Sequence, residues 1–219
     1  MQKFLPILKT CPLFDGIDPV DLPGMLDCLG ASVTAVKKNQ TVIAEGDPAT
    51  HVGILLTGSV QIVKEDFYGN RSIVGRAESG DLFGESFACA DIATLPVSVV
   101  AEQDSQIMLI NSSRITVSCS NACSFHSKMI FNLLRIVASK NLAFHQKLEI
   151  TANRTTREKL MAYLLTQAKQ RGSNRFTIPF DRQALADYLA VDRSAMSAEL
   201  SKLRREGILK CEKSHFELL

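Results

Sequence analysis

Arg193, Ser194 and Ser197 set a guanidinium and two hydroxyls within little more than one helical turn, directly behind a capping residue, Asp192. A guanidinium fork matches the O6/N7 edge of guanine and a hydroxyl can serve any base edge, so this trio suits the reading of a DNA major groove. Arg182 and Lys202 add positive charge to either side, where phosphates would lie. A second group is Cys119, Cys123 and His126. On a helix these would share a face, as three ligands for a metal, as a redox thiol pair with a histidine beside it, or as small residues filling a junction between domains. Nothing comparable points to an enzyme. There is no Gly-x-Ser-x-Gly, no phosphate-binding loop and no pair of carboxylates at catalytic spacing. His51 stands without the His-x-His of a roll-type metal enzyme, and His145 and His215 are scattered.

Each group needs elements to position it. Asp181 caps a short helix with Ala184, Leu185, Tyr188 and Leu189 at helical spacing. Ala190-Val191 makes a turn, and Asp192 caps a second helix with Ala195, Met196, Leu200 and Leu203 expected on its inner face. This is the helix-turn-helix layout, whose second helix offers its first residues to base edges. Upstream, Thr155/Thr156 begins an amphipathic helix through Met161, Leu164 and Leu165 that ends near Gly172, and Arg175–Phe180 reads as a strand. Ile208 to Leu218 alternates weakly, as a β-wing would. Helix, strand, helix-turn-helix and wing together specify a winged helix.

From Val33 to Ile110 the text is different: short β-rich runs separated by Gly46, Gly58, Gly69, Gly80 and Gly84. They include Thr41–Ala44, Val52–Leu56, Ser59–Val63, Ser72–Val74, Val97–Val100 and Gln106–Ile110, and predict an antiparallel sandwich or roll, with a tight hairpin at Gly58-Ser59. Between the two regions, Phe125 to Ile150 contains neither glycine nor proline, and apolar residues from Met129 to Leu148 recur at three- and four-residue steps. A helix of that length would span about 39 Å, more than a small domain needs. Its apolar stripe is best buried against a second copy, as in a two-stranded coiled coil. The expected division is therefore a roll over 1–120, a dimerisation helix and hinge over 121–152, and a winged helix over 153–219, an α+β chain overall.

Charge follows the same division. Residues 154–219 carry 13 Lys/Arg against 8 Asp/Glu, whereas residues 1–153 carry 12 against 15. The basic part is the one holding the helix-turn-helix. No apolar run approaches the roughly 20 residues of a membrane span. The N-terminus, interrupted at Pro6 and Lys9, does not read as a secretory signal, so a cytoplasmic location is expected. The six cysteines are too dispersed for a disulfide framework, which leaves reduced thiols.

Three blocks then carry a resemblance: Gly80-Asp-Leu-Phe-Gly-Glu85, Thr155-Thr-Arg-Glu-Lys-Leu160, and Arg182 through Ser194. In this order and spacing the chain resembles, over essentially its whole length, the Crp–Fnr (cyclic-AMP receptor/fumarate-nitrate regulator) family of bacterial transcription factors. The resemblance implies an effector-responsive homodimer that binds double-stranded DNA, reads a two-fold symmetric site and works with RNA polymerase. It places an effector pocket around Gly84, Glu85 and Ser86 and around Leu95, Pro96 and Val97. In cyclic-nucleotide binders of the family an Arg-Ser pair occupies the latter stretch, the arginine holding the cyclic phosphate. Here Leu95 and Pro96 replace them, and a phosphate anion without a cation is strongly disfavoured. The expected effector is therefore a small organic molecule other than cyclic AMP, with no cofactor identified. Cys11 and Cys28 do not reproduce an iron–sulfur cluster motif. A metal- or redox-responsive regulator using Cys119, Cys123 and His126 is the alternative. The recognition helix departs too: family members place Arg, Glu and Arg where this chain has Arg193, Ser194 and Ala198, and Ala190 replaces a turn glycine.

Overall fold

The computed structural model describes residues 2–116 and 124–219. Contacts divide the chain into two units, Met1–Asn70 with Val74–Asn141, and Leu142–Leu219 with Arg71–Ile73.

The first unit opens with helices α1 (Leu5–Thr10) and α2 (Leu22–Cys28), neither of which the strand-and-helix reading above foresees. Strands β1 (Ser32–Val36), β2 (Thr41–Ile43), β3 (His51–Thr57), β4 (Ser59–Glu65), β5 (Arg71–Glu78) and β6 (Leu82–Phe83) follow. After helix α3 (Glu85–Cys89) come β7 (Ser98–Ala101), β8 (Ser105–Asn111) and helix α4 (Ser112–Thr116). They form two four-stranded sheets, in the orders β1-β8-β3-β6 and β2-β7-β4-β5. The continuous apolar run of β3 reflects burial on both faces. Leu55 points into the core shared with Val60, Phe83, Val99 and Ile107. Val52, Ile54 and Leu56 point the other way, onto Leu8, Leu22 and Leu26 of the N-terminal helices.

The expected hairpin at Gly58-Ser59 does not form. Strand β3 pairs with β8 and β6, while β4 pairs with β7, so residue 58 passes the chain from one sheet to the other. Gly58 has φ +96°, and a Cβ there would lie 2.1 Å from Ser105 Oγ. One residue cannot reverse a strand, but a glycine at positive φ can turn a corner between two sheets.

Helix α5 (Ser124–Thr151) is 28 residues long, and its apolar positions divide between two faces. Met129 and Leu133 are buried in the first unit's own core, with Phe125, Ile136 and Val137 packed beside them. Asn132, also buried, donates from Nδ2 to the carbonyls of Leu13 (3.0 Å) and Asp15 (2.9 Å), fixing the N-terminal segment to the helix. Ile130, Phe131, Leu134, Leu142, Phe144 and Leu148 remain exposed.

The second unit continues with α6 (Thr156–Arg171), β9 (Arg175–Thr177), α7 (Arg182–Leu189), α8 (Arg193–Arg205), β10 (Leu209–Glu212) and β11 (His215–Leu218). Thr155 and Glu158 form a capping box at the start of α6, and Gly172 closes that helix in the left-handed conformation. The strands form a sheet in the order β10-β11-β9. Leu160, Leu164, Leu185, Leu189, Met196, Leu200 and Leu203 make the core with Phe176 and Phe216. Ala195, expected inside, is exposed instead, because Met196, Leu200 and Leu203 define the buried line of α8. No described helix is long and apolar enough to cross a membrane.

Candidate nucleic-acid interface and effector site

Two carboxylates set the helix-turn-helix. Asp181 Oδ1 accepts from the N–H of Ala184 at 2.8 Å, and Asp192 Oδ1 from that of Ala195 at 2.9 Å. Between them Ala190 sits at φ +51°, a conformation that costs alanine of order 1 kcal/mol relative to glycine. Lys159 Nζ donates to the Ala190 carbonyl at 3.3 Å, satisfying one of the last acceptors of α7.

Helix α8 then presents Arg193, Ser194, Ser197, Ala198, Ser201 and Lys202 to solvent. Ser194 Oγ donates to Asp192, and Ser201 Oγ to the Ser197 carbonyl at 2.9 Å, so two hydroxyls are tied back and the surface beside Arg193 stays low. Among the described residues Arg193, Lys202, Arg204 and Arg205 make no ion pair, whereas Arg157 is held by Glu206 and Arg175 by Glu217. Four cations without an ion pair thus lie along the recognition helix, where phosphates can meet them. Arg182 differs from the other four candidates. It is half-buried, with its guanidinium 5.3 Å from the Phe216 ring centre and Nη2 3.4 Å from Cys211 Sγ. These contacts fasten the first turn of α7 to the wing strands β10 and β11.

In the first unit Gly84 takes φ +77° to start α3, with the His51 carbonyl 3.2 Å from where a Cβ would be. Glu85 follows it inward and is 2% exposed. Its Oε1 meets Lys140 Nζ at 2.9 Å and accepts from Ser86 Oγ at 3.2 Å, while Oε2 is buried without a partner among the described residues. Lys140, from α5, also donates to the Leu82 carbonyl. A carboxylate buried this far is costly unless a cation balances it, and Lys140 supplies that charge. Burial raises the Cys89 thiol pKa, and the Glu85 charge adds to the rise. Leu95 and Val97 are buried, but Pro96 faces solvent. Leu95 is fixed through its backbone, donating to Asp47 O at 2.8 Å and accepting from Gly46 N at 2.9 Å. Among the described residues the polar partners of Glu85 are thus Ser86 and Lys140, none from the 95–97 segment. Lys140 was not foreseen, because nothing in the sequence ties it to a glutamate 55 residues earlier.

His126 is buried, stacked on Phe125 with ring centres 5.3 Å apart. Its Nε2 lies 3.3 Å from the Arg114 carbonyl, and its Nδ1 has no partner among the described residues. Cys119 and Cys123 lie outside the described residues.

Comparison with known proteins yields two family models, a cyclic nucleotide-binding domain over residues 33–120 and a Crp-like helix-turn-helix domain over residues 158–219. Among curated relatives, the transcriptional regulatory protein btr of Bordetella pertussis is 23% identical, covering 100% of this chain and 94% of that protein. The transcriptional activator protein FnrL of Cereibacter sphaeroides is 24% identical, covering 79% and 70% respectively. Among solved structures, FixK2 from Bradyrhizobium japonicum has a TM-score of 0.66 at 22% identity, covering 86% of this chain and 92% of that one. CLP from Xanthomonas campestris, described as responsive to c-di-GMP, has a TM-score of 0.72 at 18% identity, covering 90% and 98%.

Proposed function

Because the chain belongs to the Crp–Fnr family of transcription regulators, we propose that it is an effector-gated homodimer that reads a specific two-fold symmetric DNA site. On this reading the roll senses, α5 dimerises and residues 153–219 bind DNA, in the cytoplasm and in contact with RNA polymerase. The observation that carries it is the exposed first turn of α8, where Arg193 stands unpaired beside small residues that let a base edge approach. Arg193, Ser194, Ser197 and Lys202 are the DNA-facing residues, and Arg182 supports them by holding the wing.

Dimerisation is supported by the exposed face of α5. Ser127, Phe131, Leu134, Ala138, Asn141, His145 and Leu148 are all exposed and follow one another at alternating steps of four and three. That is the a/d repeat of a two-stranded coiled coil, with a polar layer at Asn141 and His145 to fix register. Leu133 and Val137 of the same apolar stripe take no part in this seam, since both pack into the first unit's own core.

The effector is a small molecule other than cyclic AMP, because Leu95 and the outward-facing Pro96 supply no cation or hydroxyl for a cyclic phosphate. A second reading, metal or thiol gating through Cys119, Cys123 and His126, draws on the buried Nδ1 of His126, which has no partner among the described residues. Metal analysis of the purified protein tests it.

In-vitro selection of a DNA site with the purified protein, followed by Arg193→Ala, tests the main reading. The variant is expected to lose about 1–3 kcal/mol of specific binding and its preference at one base pair per half-site. Added cyclic AMP is expected to leave the affinity of the wild type unchanged. Equal affinity of the wild type and Arg193→Ala for selected and random duplexes would reject the assignment.

A further inference from the structure

A groove of about 440 Å³ runs between the end of α1 and the turn after it, on one side, and α5 on the other. Lys9, Arg135 and Lys140 line it, against a single carboxylate, Asp15. Arg135 lies 3.5 Å from Asp15, beyond the 2.7–2.9 Å of a charge-assisted hydrogen bond, and Lys9 has no acidic partner among the described residues. Ser139 and Thr10 add hydroxyls, and Ile136 with Pro12 adds an apolar wall. Buried Asn132 ties the two walls together, so the groove is formed in advance. The volume suits a metabolite, and an arginine fork flanked by two ammonium groups suits a doubly charged oxyanion.

We propose that this groove is a binding site for a small dianionic metabolite, a phosphate ester or a dicarboxylate, and that it is where this regulator takes its effector. The second half of that statement rests on the effector-gated reading above; the binding itself does not. Two observations argue for effector status. The lining positions of α5, residues 132, 135, 136, 139 and 140, point away from the seam at 131, 134, 138 and 141, so each subunit of a dimer keeps an open groove. Lys140 is shared between the groove and Glu85, so a bound dianion competes with Glu85 for that ammonium. Ligand binding thereby alters the contact between α5 and α3 at the point where a buried carboxylate has, among the described residues, Lys140 as its one cation.

Titration of the full-length protein with inorganic phosphate and with malonate, against chloride at matched ionic strength, tests the site by calorimetry. Saturable binding of at least one dianion, one per chain, is expected. Lys9→Gln and Arg135→Gln, both exposed positions whose thermal unfolding serves as the folding control, should each weaken it about tenfold or more. Arg193→Ala should leave it unchanged. Absence of saturable binding by both anions overturns the proposal, as does binding that neither groove variant weakens. Loss of binding in Arg193→Ala would place the anion on the DNA-facing helix and overturns it equally. Because DNA binding is measured without added anion, failure here is distinct from failure of the regulator reading. If the dianions bind but leave DNA affinity unchanged, the effector assignment of the groove is rejected.

Discussion

The two units handle charge in opposite ways. The second unit leaves Arg193, Lys202, Arg204 and Arg205 outside and, among the described residues, without ion pairs, and stabilises itself with short-range caps: Asp181, Asp192 and Thr155 each accept a hydrogen bond three residues ahead. In the first unit a carboxylate is drawn inside, and its partner comes from a helix 55 residues away. Surface charge held by local caps can change its target through a few side chains. Buried charge held by a distant lysine commits the first unit to a particular packing of α5. On the proposed function, the DNA-facing geometry of the family is kept while the effector site is rebuilt.

That contrast breaks most visibly at α5, where adjacent leucines serve different ends. Leu134 is 65% exposed and Leu133 only 5%. Leu134→Asp combined with Phe131→Asp is expected to leave the fold intact, yet abolish the dimer and binding to symmetric DNA, as sedimentation and gel-shift assays would show. Leu133→Ala should instead destabilise the first unit by about 2–5 kcal/mol in denaturant titrations. If wild-type protein sediments as a monomer at micromolar concentration, the seam assignment fails.

Lys140→Met probes the buried charge directly. Removing one partner of a buried pair costs about 3–5 kcal/mol, but Lys140 is 41% exposed, so about 2 kcal/mol is expected after discounting for solvent. Adding Glu85→Gln should restore most of it, since the orphaned charge is then gone. A double variant no more stable than the single would show that Lys140 acts through packing alone.

Smaller effects belong to the second unit. Ala190→Gly should stabilise it by about 0.5–1 kcal/mol by relieving positive φ, without changing DNA preference. Asp192 has its carboxyl held below the ordinary range, first by the Ser194 hydroxyl and then by the Ala195 N–H. Its contribution is complete above the unfolded-state value of about 3.9 and disappears as pH falls through the lower folded value. Asp192→Asn should therefore flatten the acid limb of the stability curve while preserving the cap at neutral pH, as urea titrations between pH 2 and about 5 would reveal.

What was legible in the sequence follows the range of the interactions. Caps, the turn at Ala190 and the wing were readable because each is decided within a few residues. The strands were readable too, but not which sheet each joins: β3 and β4 look like a hairpin until the pairing of each with β7 or β8 is known. The two faces of α5 were inseparable without α1 and α2, whose Leu8, Leu22 and Leu26 claim Leu133 for the interior and leave Leu134 outside. Glu85 was recognised, but Lys140 was visible only in three dimensions.

The edge strand β1 carries a consequence for synthesis. Its partner is β8, with Ser32 opposite Leu109, and the core over β3 is completed only by Met129 and Leu133. On a ribosome, the core that α1 and α2 begin stays incomplete until α5 has emerged, and β1 stays unpaired until β8 has. The winged helix, built almost wholly from the contiguous last 78 residues, has no such delay. A chain stopped after Asn111 should therefore be captured by chaperones or aggregate. A chain completed through Asn141 should be the first length at which the first unit becomes protease-resistant.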